Sequence, residues 1–320
     1  MKKECFKIKR YKNLLQQEFR HYSKAKLQKD LLAGLTVAAV ALPLALAFGV
    51  SSGADAAAGM ITAIIAGIVI GSLSGGFYQI SGPTGAMAAI LMGIIATQGL
   101  AGVLVATFIA GAILLIAGLF KLGNLTSFIP SPVITGFTSG IAIIIALGQI
   151  DNFFGTTSVG DSALAKLMSY RFNFTPDLPT LLLGIIVLLF LVFYPKKWSQ
   201  FLPASLVAII LATFASILFQ LPVAKVGKIP TSLLTGERLH LATLNFSLIK
   251  QLFLPAVSIA MLGMIESLLC GASAGRMTGK DLDSNQELIA QGIGNMILPF
   301  FGGIPCLLYT SPSPRDSTSS

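Results

Sequence analysis

Ser81-Gly82-Pro83-Thr84-Gly85 lies in a stretch that holds no charged side chain between Asp55 and Lys121. These residue types mark a helix start. Ser81 can cap, Pro83 fits a first turn where a missing N–H costs nothing, and the glycines let a ligand approach the backbone. A helix starting there leaves the N–H groups of Thr84, Gly85 and Ala86 without an intrahelical partner. In hydrocarbon such donors are costly unless something accepts from them. An anion does so, and the helix dipole adds attraction. Broken helices whose N-termini face an anionic substrate are a transporter device. The alternative is an ordinary loop at the cytoplasmic surface before a plain span; the short apolar run 82–97 favours a half-helix that begins inside the protein.

Glu266, in LGMIESLLCGASAG, is the second candidate. By the spans set out below it is the one ionisable side chain well inside a membrane segment. A carboxylate at a span centre costs roughly 2.5–3.5 kcal/mol on insertion scales, and such groups mark ion pathways. It can carry a proton or, with Ser267, help to hold Na⁺; a structural hydrogen bond to a neighbouring helix is the competing role. The third candidate is the first span, where Pro43 removes a backbone bond and kinks the helix and Phe48 can wall a cavity. A packing kink with a core Phe accounts for the same residues. Ser284-Asn285-Gln286-Glu287 fits a capping box, which makes Glu287 a helix starter, and Asp281 and Asp283 read as solvated loop residues. No nucleophile pair or catalytic cluster supports an enzyme.

The elements that position these residues are membrane spans. The chain has 320 residues, 54% hydrophobic and 11% charged, against about 25% charged in soluble domains. Apolar runs occur at 31–50, 54–73, 82–97, 100–120, 132–150, 179–194, 202–221, 252–274 and 287–301. The runs 82–97 and 287–301 are a little shorter than the ~20 residues a crossing needs. The net charge of +9 is not a nucleic-acid signal, because the basic residues concentrate before Asp30, as in a cytoplasmic arm on an anionic membrane face. With the N-terminus inside, the inside loops hold Lys121, Lys196, Lys197, Arg276 and Lys280 besides that arm; the outside loops hold Lys166, Arg171, Lys225, Lys228, Arg238 and Lys250. The excess inside supports that orientation, the first span above all. The arm lacks the apolar core of a signal peptide. Cys5, Cys270 and Cys306 give no disulfide framework, and His21 and His240 are too few and too distant for a metal site.

Small residues recur every fourth position at Ala63, Gly67, Gly71 and Gly75, at Gly263, Ser267, Gly271 and Gly275, and at Gly136 and Gly140. Such ridges let helices pack closely. After Gly302-Gly303-Ile304-Pro305 the segment 306–320 turns polar, with Ser and Pro, and reads as a disordered terminus or a non-native tail outside the fold. The expected organisation is a basic segment over 1–29, a transmembrane domain over 30–305, and that tail.

Four stretches together resemble the SulP family of sulfate permeases: GLTVAAVALPLALAFGV (34–50), YQISGPTGAMAAIL (78–91), IPSPVITGFTSGIAI (129–143) and MIESLLCGASAGRMTGKDLDSNQELIAQGIGN (264–295), followed by PFFGGIP. The resemblance implies an all-α polytopic membrane protein built as two inverted seven-helix repeats, with a broken third helix, a half-helix mirroring it in the tenth segment, and a cytoplasmic STAS domain. It implies that Phe48 and Ser81, Gly82, Pro83, Thr84, Gly85 and Ala86 line the anion site, and that Glu266 is the acidic position linked to cation coupling. The chain is expected to depart from the family after GGIP, which would leave half of the anion site, four helices and the STAS domain outside it, and this fragment by itself is not expected to transport. Cys270 stands where a sodium-linked relative offers a hydroxyl, which tilts the expectation from Na⁺ toward H⁺.

The expectation is therefore an N-terminal fragment of a secondary transporter for sulfate, bicarbonate or a small dicarboxylate, coupled to H⁺ or Na⁺ and needing no other cofactor. Its expected setting is the cell membrane, with the N-terminus cytoplasmic, lipid around the spans and a homodimer in the full-length protein. A uracil/xanthine-type permease of the same architecture and an uncoupled anion channel are the alternatives.

Overall fold

The structure is a computed structural model. It describes residues 22–76, 79–123, 131–156, 158, 167–171, 174–195, 204–223, 237–240, 245–279 and 282–310. The elements, in chain order, are α1 (Lys24–Ser51), α2 (Ala56–Leu73), β1 (Gln79–Gly82), α3 (Gly85–Leu119), α4 (Ser131–Phe154), α5 (Leu178–Phe193), α6 (Ala204–Leu218), α7 (Phe246–Thr278), α8 (Ser284–Ile297), a 3-10 turn (Leu298–Phe301) and β2 (Leu307–Thr310). Contacts divide the chain into the units Met1–Val40 and Ala41–Ser320. In the first unit the described residues 22–35 are exposed, and the Tyr22 hydroxyl donates to Asp30. Most of the basic arm, Lys166, the loop holding Lys196 and Lys197, the loop holding Lys225 and Lys228, Lys280, Asp281 and residues 311–320 lie outside the described residues.

Each apolar run of the sequence falls on a helix. By length and composition, Lys24–Ser51, Ala56–Leu73, Ile90–Leu119 and Phe246–Gly275 can each cross a membrane. The runs 82–97 and 100–120 share α3, which is broken at Gly99 (φ 66°, ψ −172°), a backbone geometry that favours glycine. Starts are set by side-chain caps: Asp55 accepts from the Ala58 N–H at 2.7 Å, Asp177 from Thr180 at 3.1 Å and Asp283 from Gln286 at 3.2 Å. Each satisfies an orphan amide of a first turn.

The fold is helical as expected, with one short two-stranded sheet added to it. β1 and β2 pair antiparallel inside the bundle, with Ser81 opposite Leu308 and Gly82 opposite Leu307. The segment set aside as a tail therefore enters the fold at Cys306–Thr310. Leu307 packs into a core with Leu91, Leu114, Leu262 and Leu288, while Leu308 packs into a second core with Ala66, Ile70, Ala290 and Leu298. Alternate side chains of one strand thus fill two apolar layers. Extended backbone in such a place must find partners. Polar side chains from three helices supply them. Thr62 Oγ1 accepts from the Ile304 N–H at 2.8 Å. Asn295 accepts from the Cys306 N–H at 2.8 Å and donates to its carbonyl at 3.0 Å. Ser267 Oγ accepts from the Leu308 N–H at 3.3 Å.

The predicted small-residue ridges are met in part: a Cβ at Gly75 would run into the Asp283 carbonyl, and one at Gly271 would stand 2.6 Å from the Leu282 side chain. Among the described residues nothing lies within 4 Å of a Cβ placed at Gly67, Gly71, Gly136 or Gly140. Further close approaches lie outside those ridges. A Cβ at Gly111 of α3 would stand 2.7 Å from the Met296 nitrogen of α8, and one at Gly118 would stand 2.9 Å from the Asn285 carbonyl. A Cβ at Gly49 would lie 2.6 Å from the Asp55 carbonyl where α1 meets α2. Spacing shows that a helix face is narrow but not which helix lies against it.

Candidate anion site

The turn in the apolar run is a strand-to-helix junction. Ser81 and Gly82 end β1, Thr84 is the N-cap of α3, and the first helical residue is Gly85. This corrects the sequence expectation by three residues: Ser81 pairs in a strand instead of capping, and Pro83 precedes the cap. The N–H of Met87 returns to the Thr84 carbonyl at 3.2 Å. The first-turn amides that the helix itself leaves open are those of Gly85 and Ala86. The Thr84 side chain makes no cap bond, and its Oγ1 is buried without a partner. Ser81, Gly82, Pro83, Thr84 and Ala86 are buried and Gly85 is half-buried.

Glu266 and Ser267 sit on α7, and Ser267 is joined to this junction through the sheet. Ser81 faces Leu308, whose N–H donates to Ser267 Oγ, and Gln79 Nε2 donates to the Ser267 carbonyl at 3.4 Å. Gln291 Nε2 of α8 also donates to Ser267 Oγ. Both glutamines donate to Ser267 through Nε2, while Gln79 Oε1, Gln291 Oε1 and Glu266 Oε2 are buried and unpartnered. The Gln79 amide fits between two glycines: a Cβ at Gly76 or at Gly271 would stand 2.7 Å from it. Ser267 is the hub of this network, and half-buried Glu266 precedes it on α7.

Phe48 is half-buried near the end of α1, and its carbonyl accepts from the Ser52 hydroxyl at 2.7 Å. No hydrogen bond among the described residues joins it to the turn. An open groove of about 400 Å³ runs between α3 and α7, with Ile90, Ile94, Thr97, Gln251, Pro255 and Ser258 in its walls. Its walls do not include the turn or Glu266.

Sequence reasoning passed over Gln79, Gln291, Asn295 and the true role of Glu287. Gln291 and Asn295, one turn apart in the apolar stretch that follows Glu287, were the available signal. Glu287 is fully buried, so Glu266 is not alone inside the bundle. Nor is Glu287 a capping-box residue. Asp283 caps α8, while Glu287 Oε2 accepts from the Ser74 hydroxyl at 2.6 Å and from the Gly75 N–H at 3.0 Å. Asp283 is a cap, half-buried, and not a solvated loop residue.

Apolar helices that enclose a buried strand-to-helix break fit a polytopic membrane protein. The chain belongs to the sulfate permease family, whose model matches residues 27–314. It is 39% identical over 300 residues to the putative sulfate transporter YvdB of Bacillus subtilis, covering 90% of this chain and 55% of that one. It is 34% identical over 291 residues to the bicarbonate transporter BicA of a Picosynechococcus strain, covering 86% and 50%. The fold matches the solved transmembrane domain of a cyanobacterial BicA with TM-score 0.80 at 34% identity, over 89% of this chain and 74% of that one. It also matches the overall structure of SLC26A9 with TM-score 0.80 at 19% identity, over 94% and 52%, a likeness of fold. The chain spans about half the length of the curated relatives it matches. The uracil/xanthine alternative finds no support here, since the matching family is the sulfate permeases.

Proposed function

We propose that the full-length protein containing this chain is a secondary active transporter of a small anion. Sulfate stands first, with bicarbonate or a small dicarboxylate behind it. The anion would bind at the N-terminus of α3, held by the Gly85 and Ala86 amides and the Thr84 hydroxyl, with Ser81, Gly82 and Pro83 shaping the turn and Phe48 walling it. The observation that carries this reading is the buried, unpartnered Thr84 Oγ1 at the cap of a helix that begins inside the bundle. The names of YvdB and BicA support the two inorganic candidates.

Coupling follows from electrostatics. A carboxylate near a bound anion repels it, so a proton or Na⁺ at Glu266 favours anion binding, and the anion favours the cation to the same extent. Glu266 and Ser267 are therefore the coupling residues. The setting that fits is the cell membrane with a cytoplasmic N-terminus, an elevator-like motion and a homodimer. The test is uptake of sulfate, bicarbonate and succinate by proteoliposomes of the full-length protein, under imposed pH and Na⁺ gradients. Accumulation against a gradient that needs H⁺ or Na⁺ supports the reading. Flux that ignores both gradients, and is unaltered in Glu266→Gln, establishes an uncoupled channel instead.

A further inference from the structure

The first turn of α8 is a three-way clasp. Asn285 Oδ1 accepts from the Gly123 N–H at 3.1 Å, just past the end of α3. Gln286 Nε2 donates to the Leu73 carbonyl at 2.8 Å, at the end of α2, and the Asp283 N–H donates to the Gly75 carbonyl at 3.0 Å. Glu287 closes the clasp on Ser74 and Gly75 through Oε2. A helix cap does not require a fully buried carboxylate, and the Asp283 side chain already does the capping.

The two Glu287 oxygens differ. Oε2 has two donors, whereas Oε1 is buried without a partner. No lysine, arginine or histidine among the described residues pairs with the carboxylate. Burying an ion without a counter-charge costs several kcal/mol, whereas a buried hydroxyl short of one acceptor costs about 1–3 kcal/mol. The titratable groups around it are few. Asp283 lies one turn earlier on the same helix, and the described residues of the link after α2 present the Ser74 hydroxyl and the Gly75 and Gly76 amides, none of them titratable. The Cys306 thiol before β2 is within electrostatic reach of both Glu287 and Glu266 of α7. These neighbours bring acids and a thiol, not a cation.

We propose that Glu287 is a second proton-binding site, separate from Glu266, holding its proton on Oε1 in this conformation and exchanging it as the link between α2 and β1 moves during transport. The coupling part rests on the transporter reading above; the proton itself does not. Ser74 and Gly75 lie a few residues before β1 in the chain, and β1 leads into the Thr84 cap. A shift of the anion turn therefore pulls on the donors that hold Oε2. The step is simple protonation, with the carboxylate taking one proton from water and returning it.

Infrared difference spectra of the full-length protein across pH, with measured protons moved per anion, test this. The expected result is a buried carboxylic-acid band that survives in Glu266→Gln and is lost in Glu287→Gln, together with fewer protons moved per anion in Glu287→Gln. Ser74→Ala removes a donor that favours the ionised form, so its pH profile of uptake should move to higher pH. This second variant decides the matter if Glu287→Gln does not fold. A band and proton count unchanged in Glu287→Gln, or a pH profile unmoved in Ser74→Ala, would make Glu287 a fixed structural clasp and overturn the proposal. If the wild-type protein moves no anion, the transporter reading fails, while the infrared band still decides whether Glu287 holds a proton.

Discussion

Gly111→Ala tests the packing that holds the site together. A Cβ there would meet the Met296 nitrogen at 2.7 Å, the Gly292 carbonyl at 2.8 Å and the Asn295 carbonyl carbon at 2.9 Å. All three are backbone atoms of α8, so no side chain can swing away. Ordinary contact needs 3.4–4 Å, and the two helices must part by most of an ångström. Overpacking costs typically ~1–3 kcal/mol, and contact against rigid backbone puts this case at the upper end. Replacing a helical glycine by alanine returns ~1 kcal/mol of helix propensity. The net loss is about 2 kcal/mol, or a fall in Tm of roughly 4–8 °C for a large domain. Gly67→Ala is the matched control, because it gains the same propensity and meets nothing within 4 Å. Thermal unfolding of both variants in detergent, followed by size-exclusion fluorescence, gives the comparison. If Gly111→Ala melts no lower than Gly67→Ala, the close α3–α8 approach is wrong.

Thr84→Ala should weaken anion affinity about 10-fold or more, since hydrogen bonds to charged groups are worth ~1.5–3 kcal/mol; an unchanged uptake KM removes Thr84 from the site. Glu266→Gln should abolish accumulation against a gradient while leaving anion exchange measurable, as read by counterflow in proteoliposomes. Asn295→Ala leaves the Cys306 N–H and carbonyl unsatisfied in the core and should cost roughly 2–4 kcal/mol, read as a lower Tm than the wild type. Asp151, just beyond the apolar run 132–150, should make its loop acid-sensitive. Partial burial pushes its carboxyl up, but the hydroxyls of Ser158, Tyr170 and Thr156 outweigh this and hold it below the ordinary range. A depressed carboxyl adds stability that is complete above the unfolded value of about 3.9 and is lost as pH falls through the lower folded value. Hydrogen exchange around Thr156 should therefore rise below about pH 4 in the wild type, and Asp151→Asn should flatten that dependence.

The one-dimensional pattern by itself determined that this is a membrane protein, where the apolar helices lie, and that Ser81–Ala86 and Glu266 are out of place in hydrocarbon. Those conclusions need only composition, run length and the cost of a polar group away from water, all of which are local. Tertiary structure alone decided where the unusual groups find partners. The Gly302–Pro305 segment gave no sign that Leu307–Thr310 would pair with Gln79–Gly82, because a strand partner more than two hundred positions away leaves no periodic trace. Thr62, Gln291 and Asn295 look like minor polar interruptions until Ile304, Cys306 and Leu308 are seen lying against them. Glu287 sits in a run that spells a helix start, and only the approach of Ser74 and Gly75 turns it into a buried acid. Helix caps and spans depend on neighbours within four residues; a buried polar network depends on which helices touch, and that information exists only after the chain has packed.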